Sequence, residues 1–139
     1  MKTISLNFKG YWLEDKKLSV PEGSGVYCVY AGTYHAETDR VSLRELIYVG
    51  ESSDVRARLE NHERLNDWKR RLRIGETLCY TVATVNASDR ERAEAAVIYR
   101  HKPPCNVEYI NRFPFENTYI ETSGSNRFLE AAFTVYTKI

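Results

Sequence analysis

The sequence is short of the features that assign a protein quickly. Its cysteines are only Cys28, Cys79 and Cys105, odd in number and far apart. That excludes a disulfide framework and a clustered zinc knuckle, and it leads us to expect a reducing, cytoplasmic setting. No stretch is long and apolar enough to cross a bilayer, so no membrane partner is expected. The opening "MKTISLNFKGYW" has no long apolar run behind its lysine, so no secretory leader is expected. The net charge is only +1, so a polyanionic partner must be argued from local clusters rather than from the total. Repeats, low-complexity tracts and obvious linkers are absent. With 42% hydrophobic and 28% charged residues in 139, the composition excludes a disordered chain and fits one domain, residues 1–139, with a real core.

Several apolar segments are present. "TISLNF" alternates and reads as a strand. "GYWLEDKKLSV" reads as a second strand with a turn at Glu14-Asp15-Lys16. "VYCVYAG" and "ELIYVG" are β-rich runs, expected to pair antiparallel, with the polar excursion "TYHAETDRVSLR" before the second. A helix is predicted from near Ser53 to Gly75, capped by Ser52 or Ser53, with Asp54 at its positive pole and an apolar stripe of Val55, Leu59, Leu65, Trp68 and Leu72. "TLCYTVATV" is a further strand. Ser88 and Glu91 form a capping-box pattern opening a helix to about Arg100, which Pro103 and Pro104 stop. "NTYIET" and "AAFTVYTKI" read as strands around a "SGSN" turn. The expected fold is therefore α+β. A small central antiparallel sheet of about three core strands is flanked by helices. Its core is about residues 23–107, with N-terminal strands in 1–22 and a C-terminal extension in 108–139.

Five features fall in order along this frame. Gly25-Val26-Tyr27 lies on the first central strand and Tyr48-Val49-Gly50 on the next. Arg58 follows Tyr48 by ten residues, and His62 follows Arg58 by four, which places both on one helical face. Glu94 sits in the second long helix. Asn106 follows the Pro-Pro break. This ordered set resembles the GIY-YIG nuclease superfamily, with "GVY" and "YVG" as its two signature tripeptides. The likeness covers Gly25 to about Asn106. It implies a Mg2+-dependent endonuclease acting on DNA, with Mn2+ able to stand in for Mg2+. It also implies that Tyr27 is the base or proton relay, that Tyr48 braces the phosphate or water, and that Glu94 is the metal ligand.

The residue types suit that chemistry. Hydrolysis of a phosphodiester needs an activated water, stabilisation of charge on the phosphoryl oxygens and help for the leaving oxygen. Arg58 offers a planar fork that fits a phosphate and stays charged. Glu94 is a hard oxygen ligand suited to Mg2+. A tyrosine, with a free pKa of about 10, needs a cation nearby to act as a base. His62 is expected to assist proton transfer or hold a phosphate oxygen, and Asn106 to hold the backbone of the site. Gly25 and Gly50 are expected to support the site. Arg56, Arg58, Arg64, Lys69, Arg70, Arg71 and Arg73 outnumber Glu60, Glu63 and Asp67 in the same segment, which predicts a nucleic-acid face.

Three features depart from the family pattern. Tyr27 and Tyr48 are 21 positions apart, so an insertion separates the paired strands. Glu51 follows "YVG", where an acid would repel a phosphate, and no lysine stands beside Tyr27. These leave two further readings: a nucleic-acid-binding or interaction domain that has lost cleavage, and a restriction-type enzyme that reads a short site through residues 33–44.

Overall fold

Alternation in the first segment builds strand β1, Lys2–Leu13. Ile4, Leu6 and Phe8 point into the core while their neighbours face solvent, as period-two patterning requires. The computed structural model, which describes residues 1–139, continues with β2 (Gly25–His35), β3 (Arg40–Ser52), α1 (Val55–Glu60), α2 (Leu65–Lys69), β4 (Thr77–Thr84), α3 (Arg90–His101), β5 (Thr118–Gly124) and β6 (Ala132–Val135). A 3-10 helix, Glu14–Ser19, follows β1.

All six strands belong to one sheet in the order β3-β2-β4-β1-β5-β6. This corrects the expectation of a three-stranded antiparallel sheet flanked by helices. The sheet is mixed and curls into a half-barrel, and only 21% of the chain is helical. The reason lies in β1. Its first half pairs in parallel with β5, from Lys2 opposite Thr118 to Phe8 opposite Gly124. Its second half pairs antiparallel with β4, from Phe8 opposite Ala83 to Leu13 opposite Cys79. The strand therefore lies inside the sheet as a diagonal link, and the expected terminal extensions are structural members. Strands β5 and β6 then pair antiparallel. "GYWL", expected to open a second strand, continues β1 past an irregularity between Gly10 and Trp12.

Each face of the sheet carries its own core. Val26, Cys28 and Tyr30 of β2 pack with β1, β5, β6 and the alanine-rich face of α3 in a cluster of 22 buried residues. Tyr27, Val29 and Ala31 face the other way, where Val55, Leu59 and Trp68 of the short helices close a cluster of 11. Being buried on both faces explains why β2 reads as a continuous apolar run.

The predicted helix from Ser53 to Gly75 is broken. Asn61 leaves helical geometry (φ −142°, ψ 68°) and ends α1. Leu65 restarts the helix as α2, which ends at Lys69. Asn and His are weak helix formers, and the turn they make keeps Leu59 and Trp68 on the same core. Arg58 and His62 therefore do not share one helix face. Asp54, rather than Ser52 or Ser53, caps α1 by accepting from the Ala57 N–H. The Ser88–Glu91 capping box does not form. Ser88 donates to Asn86 instead, and α3 begins at Arg90. No helix is long and apolar enough to cross a membrane.

Candidate active site

Tyr27 lies directly opposite Gly50 in the β2–β3 pairing. Its ring crosses the space a side chain would take there, since a Cβ on Gly50 would stand 2.3 Å from the Tyr27 hydroxyl oxygen. The glycine of "YVG" is thus a seat for the tyrosine of "GVY". At Gly25 a Cβ would press on the Ala83 carbonyl at 2.7 Å, so this glycine lets β2 and β4 run close.

The Tyr27 hydroxyl is 2.9 Å from Nε2 of His62. His62 sits in the link between α1 and α2 and is buried. Its Nδ1 accepts the backbone N–H of Arg64 at 3.0 Å. A nitrogen that accepts from an amide carries no proton, so in the neutral ring the proton is on Nε2 and is donated to the tyrosine oxygen. Burial and then the Arg58 charge push the His62 pKa down to about 4, so the ring is neutral at pH 7. Burial raises the Tyr27 phenol above its ordinary range, and the nearby Tyr48 adds to this while Arg58 opposes it. The Tyr48 phenol is also raised, mainly by burial and then by Glu94. Trp68 backs the group, 4.3 Å from the His62 ring and 5.2 Å from the Tyr48 ring between centroids.

Arg58 reaches the same place from α1. Its charge acts on both tyrosines and on His62. Its two terminal nitrogens hold the carboxylate of Glu63 at 2.5 and 2.6 Å. That pairing raises the Arg58 pKa further and draws Glu63 down to about 2. The phosphate-matching fork is therefore already closed on an internal carboxylate.

Tyr48 also lines a cleft of about 430 Å³ with Arg64, Glu94, Ile98, Asn106, Val107 and Glu108. Glu94 forms no ion pair. Burial, with the charges of Glu51, Glu108 and Glu91, raises its pKa to about 8. Excess negative charge around a carboxyl without a counter-charge is the environment a cation relieves. Two carboxylates in one cleft also suit Mg2+, which binds through one or two carboxylates and keeps several waters. The residues present therefore fit the ion. They form no cage of three or more His, Cys, Asp or Glu side chains.

Glu51 turns towards α3, where it pairs with Arg90, whose Nη1 also donates to Ser24 at 2.9 Å. Asn106 contacts backbone. Its amide accepts from the Val49 N–H at 3.0 Å and donates to the Val49 carbonyl at 2.9 Å. With the Cys105 N–H on the Ile47 carbonyl at 3.0 Å, the segment after Pro104 is laced to the outer edge of β3, beside Tyr48.

The basic residues of the α1–α2 segment are largely committed within the chain. Arg56 bonds the Val20 carbonyl and Glu22. Arg64 bonds Asp67 and the Cys105 carbonyl, with its guanidinium 5.8 Å from the Tyr48 ring centroid. Arg70 pairs with Asp67 and Arg71 with Glu45. Lys69 and Arg73 remain exposed without a carboxylate partner.

Three contributors escaped the sequence reading. Glu63 and Glu108 lie beside His62 and Asn106, and that adjacency was the available signal. Lys17, whose charge acts on His62, projects from a 3-10 helix that no periodicity announces. It is held by Glu14 at 2.8 Å.

No protein-family model matches the chain, and no curated protein or solved structure is significantly similar to it.

Proposed function

We propose that this protein is an endonuclease of the GIY-YIG type that hydrolyses DNA phosphodiester bonds in the presence of Mg2+. One observation supports the reading above all. A phenol bonded to a histidine, a guanidinium and a carboxyl without a counter-charge, from β2, α1 and α3, are gathered around the ring of Tyr48. The curled six-stranded sheet is larger than the expected core, and the reading rests on this local arrangement alone.

In this reading a scissile phosphate displaces Glu63 and takes the fork of Arg58, which stabilises the charge growing on the phosphoryl oxygens. Tyr27 loses its phenolic proton to solvent as cationic charge gathers at the cleft, and the resulting phenolate accepts the proton of the attacking water. His62 does not take the Tyr27 proton, because its Nε2 already carries one. It donates to the phenolate oxygen and so favours the charged form. Tyr48 packs against the reacting group, and Arg64 lies over its ring. Asn106 keeps β3 in place. Glu94, with Glu108 beside it, would hold Mg2+, which supplies charge neutralisation and Lewis acidity at the phosphate.

Incubation with supercoiled plasmid and Mg2+ or Mn2+ tests this. Nicking is expected from the native protein and not from Glu94→Ala or Tyr27→Phe. Nicking that survives Glu94→Ala overturns the assignment. The closed Arg58–Glu63 fork favours the second reading, a domain that binds nucleic acid without cutting it. DNA retention with no cleavage under any divalent metal would select that reading. Discrete fragments would mark a restriction-type enzyme.

A further inference from the structure

A second cavity lies at the other end of β2. The β2–β3 hairpin continues to His35 opposite Arg40, whereas β4 stops at Thr77, opposite Gly32. The curl of the sheet brings this overhang alongside the end of β1. Between them is a groove of about 480 Å³. Tyr11 and Trp12 of β1 and Tyr34 of β2 contribute aromatic rings, and Lys16 and Arg40 contribute charge. Past Tyr11 and Val41 it runs into a hollow of about 360 Å³ that ends at Arg127.

The cations here differ from those near the active site. Lys16, Arg40 and Arg127 form no ion pair, whereas Arg56, Arg58, Arg64, Arg70 and Arg71 all do. The one acid lining the groove, Asp39, accepts the Tyr34 hydroxyl at 2.8 Å. Asp15 and Glu37 also act on Tyr34, so the acids share that end with Lys16 and Arg40, while Arg127 is the one charged residue lining the far hollow. The exposed ring of Tyr34 and the half-buried rings of Tyr11 and Trp12, beside cations without a carboxylate partner, are what an unpaired nucleic-acid strand requires. Bases stack on the rings, and phosphates meet the cations. A duplex hides its base faces and has no use for the rings.

We propose that this groove is a binding site for single-stranded nucleic acid, separate from the cleft at Tyr27. Tyr34 lies seven residues from Tyr27 on β2, roughly 23 Å along the strand, and the odd spacing places the two side chains on opposite faces of it. The binding itself does not depend on cleavage.

The test uses fluorescence. The chain has two tryptophans, Trp12 and Trp68, and Trp68 is fully buried. The full-length protein in EDTA is titrated with an eight-residue oligothymidylate and its uridylate counterpart. Saturable, salt-sensitive quenching is expected, and it should vanish in Trp12→Phe. Quenching that persists in Trp12→Phe would place the strand at Trp68 and overturn the proposal. Tyr34→Ala and Arg40→Ala alter exposed residues of the hairpin and should keep the native circular dichroism. Together they should weaken binding of a labelled oligothymidylate by anisotropy about tenfold or more, the scale of one lost stacking contact. Unchanged affinity, or equal binding of a short blunt duplex, would overturn it. Loss of oligothymidylate binding with plasmid nicking intact would support it.

Discussion

The two ends of β2 hold similar residues in opposite conditions. At the Tyr27 end the rings are packed, the histidine is locked in one tautomer, and the arginines are tied to carboxylates. At the Tyr34 end the rings border an open groove, and three cations have no carboxylate partner. The first arrangement is preorganised, which suits chemistry that tolerates little displacement. The second is adaptable, which suits a flexible ligand. The difference also shows that charge counted along a segment is not charge available to a partner.

The comparison breaks most visibly if the packed end is emptied of function. Arg58→Ala should lower plasmid nicking by about 100- to 1000-fold, the usual effect of removing one preorganised charge stabiliser. An unchanged rate would make the packing at this end merely structural. Gly50→Ala tests the packing itself. The added methyl collides with the Tyr27 ring, so chemical denaturation should show a loss of about 1–3 kcal/mol, with nicking reduced as Tyr27 moves. Asn106→Ala leaves both polar groups of Val49 without their partner and should cost about 1–3 kcal/mol in the same measurement.

The pH dependence of stability, measured in EDTA, sharpens the contrast further. Glu94 keeps its proton in the fold up to about 8, against 4.5 for an ordinary glutamate. The folded state therefore binds more protons between those values, and stability falls as pH rises through them. His62, lowered to about 4 from 6.5, acts with the opposite sign, adding stability as pH rises from 4 to 6.5. Above 6.5 only the Glu94 slope of these two remains. Thermal melts should thus decline between pH 6.5 and 8, and Glu94→Gln should flatten the decline. The smallest effect is expected from Glu63→Gln, which opens the Arg58 fork. Exposed ion pairs are worth up to about 1 kcal/mol, so DNA affinity should rise by no more than about fivefold. A fall would show that Glu63 positions Arg58 rather than competing with phosphate.

Much of the local structure was legible. The runs around Val26, Ile47 and Tyr80 are strands because both of their faces are buried, and such runs stand out in a sequence. The alternation in β1 was equally plain, but alternation names a face and not a neighbour. Nothing in Ile4, Leu6 and Phe8 says that one half of the strand pairs with β4 and the other with β5, so the six-stranded sheet was missed. The break at Asn61 was hidden because Leu59, Leu65 and Trp68 stay on one core across it. At the candidate site, the spacing of Tyr27, Tyr48, Arg58 and Glu94 located the elements that meet. Glu63 and Asp67, which neutralise Arg58, Arg64 and Arg70, were visible in the same segment, but Glu22 and Glu45, which take Arg56 and Arg71, approach from remote parts of the chain.

The grip of Asn106 on Val49 also governs how this molecule meets copies of itself. β3 is an outermost strand, and an outermost strand ordinarily offers bare amides and carbonyls to any passing chain. With both backbone groups of Val49 engaged and the Ile47 carbonyl taken by Cys105, that stretch offers a poorer template for strand addition. The loop that steadies Tyr48 thereby shields the sheet from self-association along the same rim.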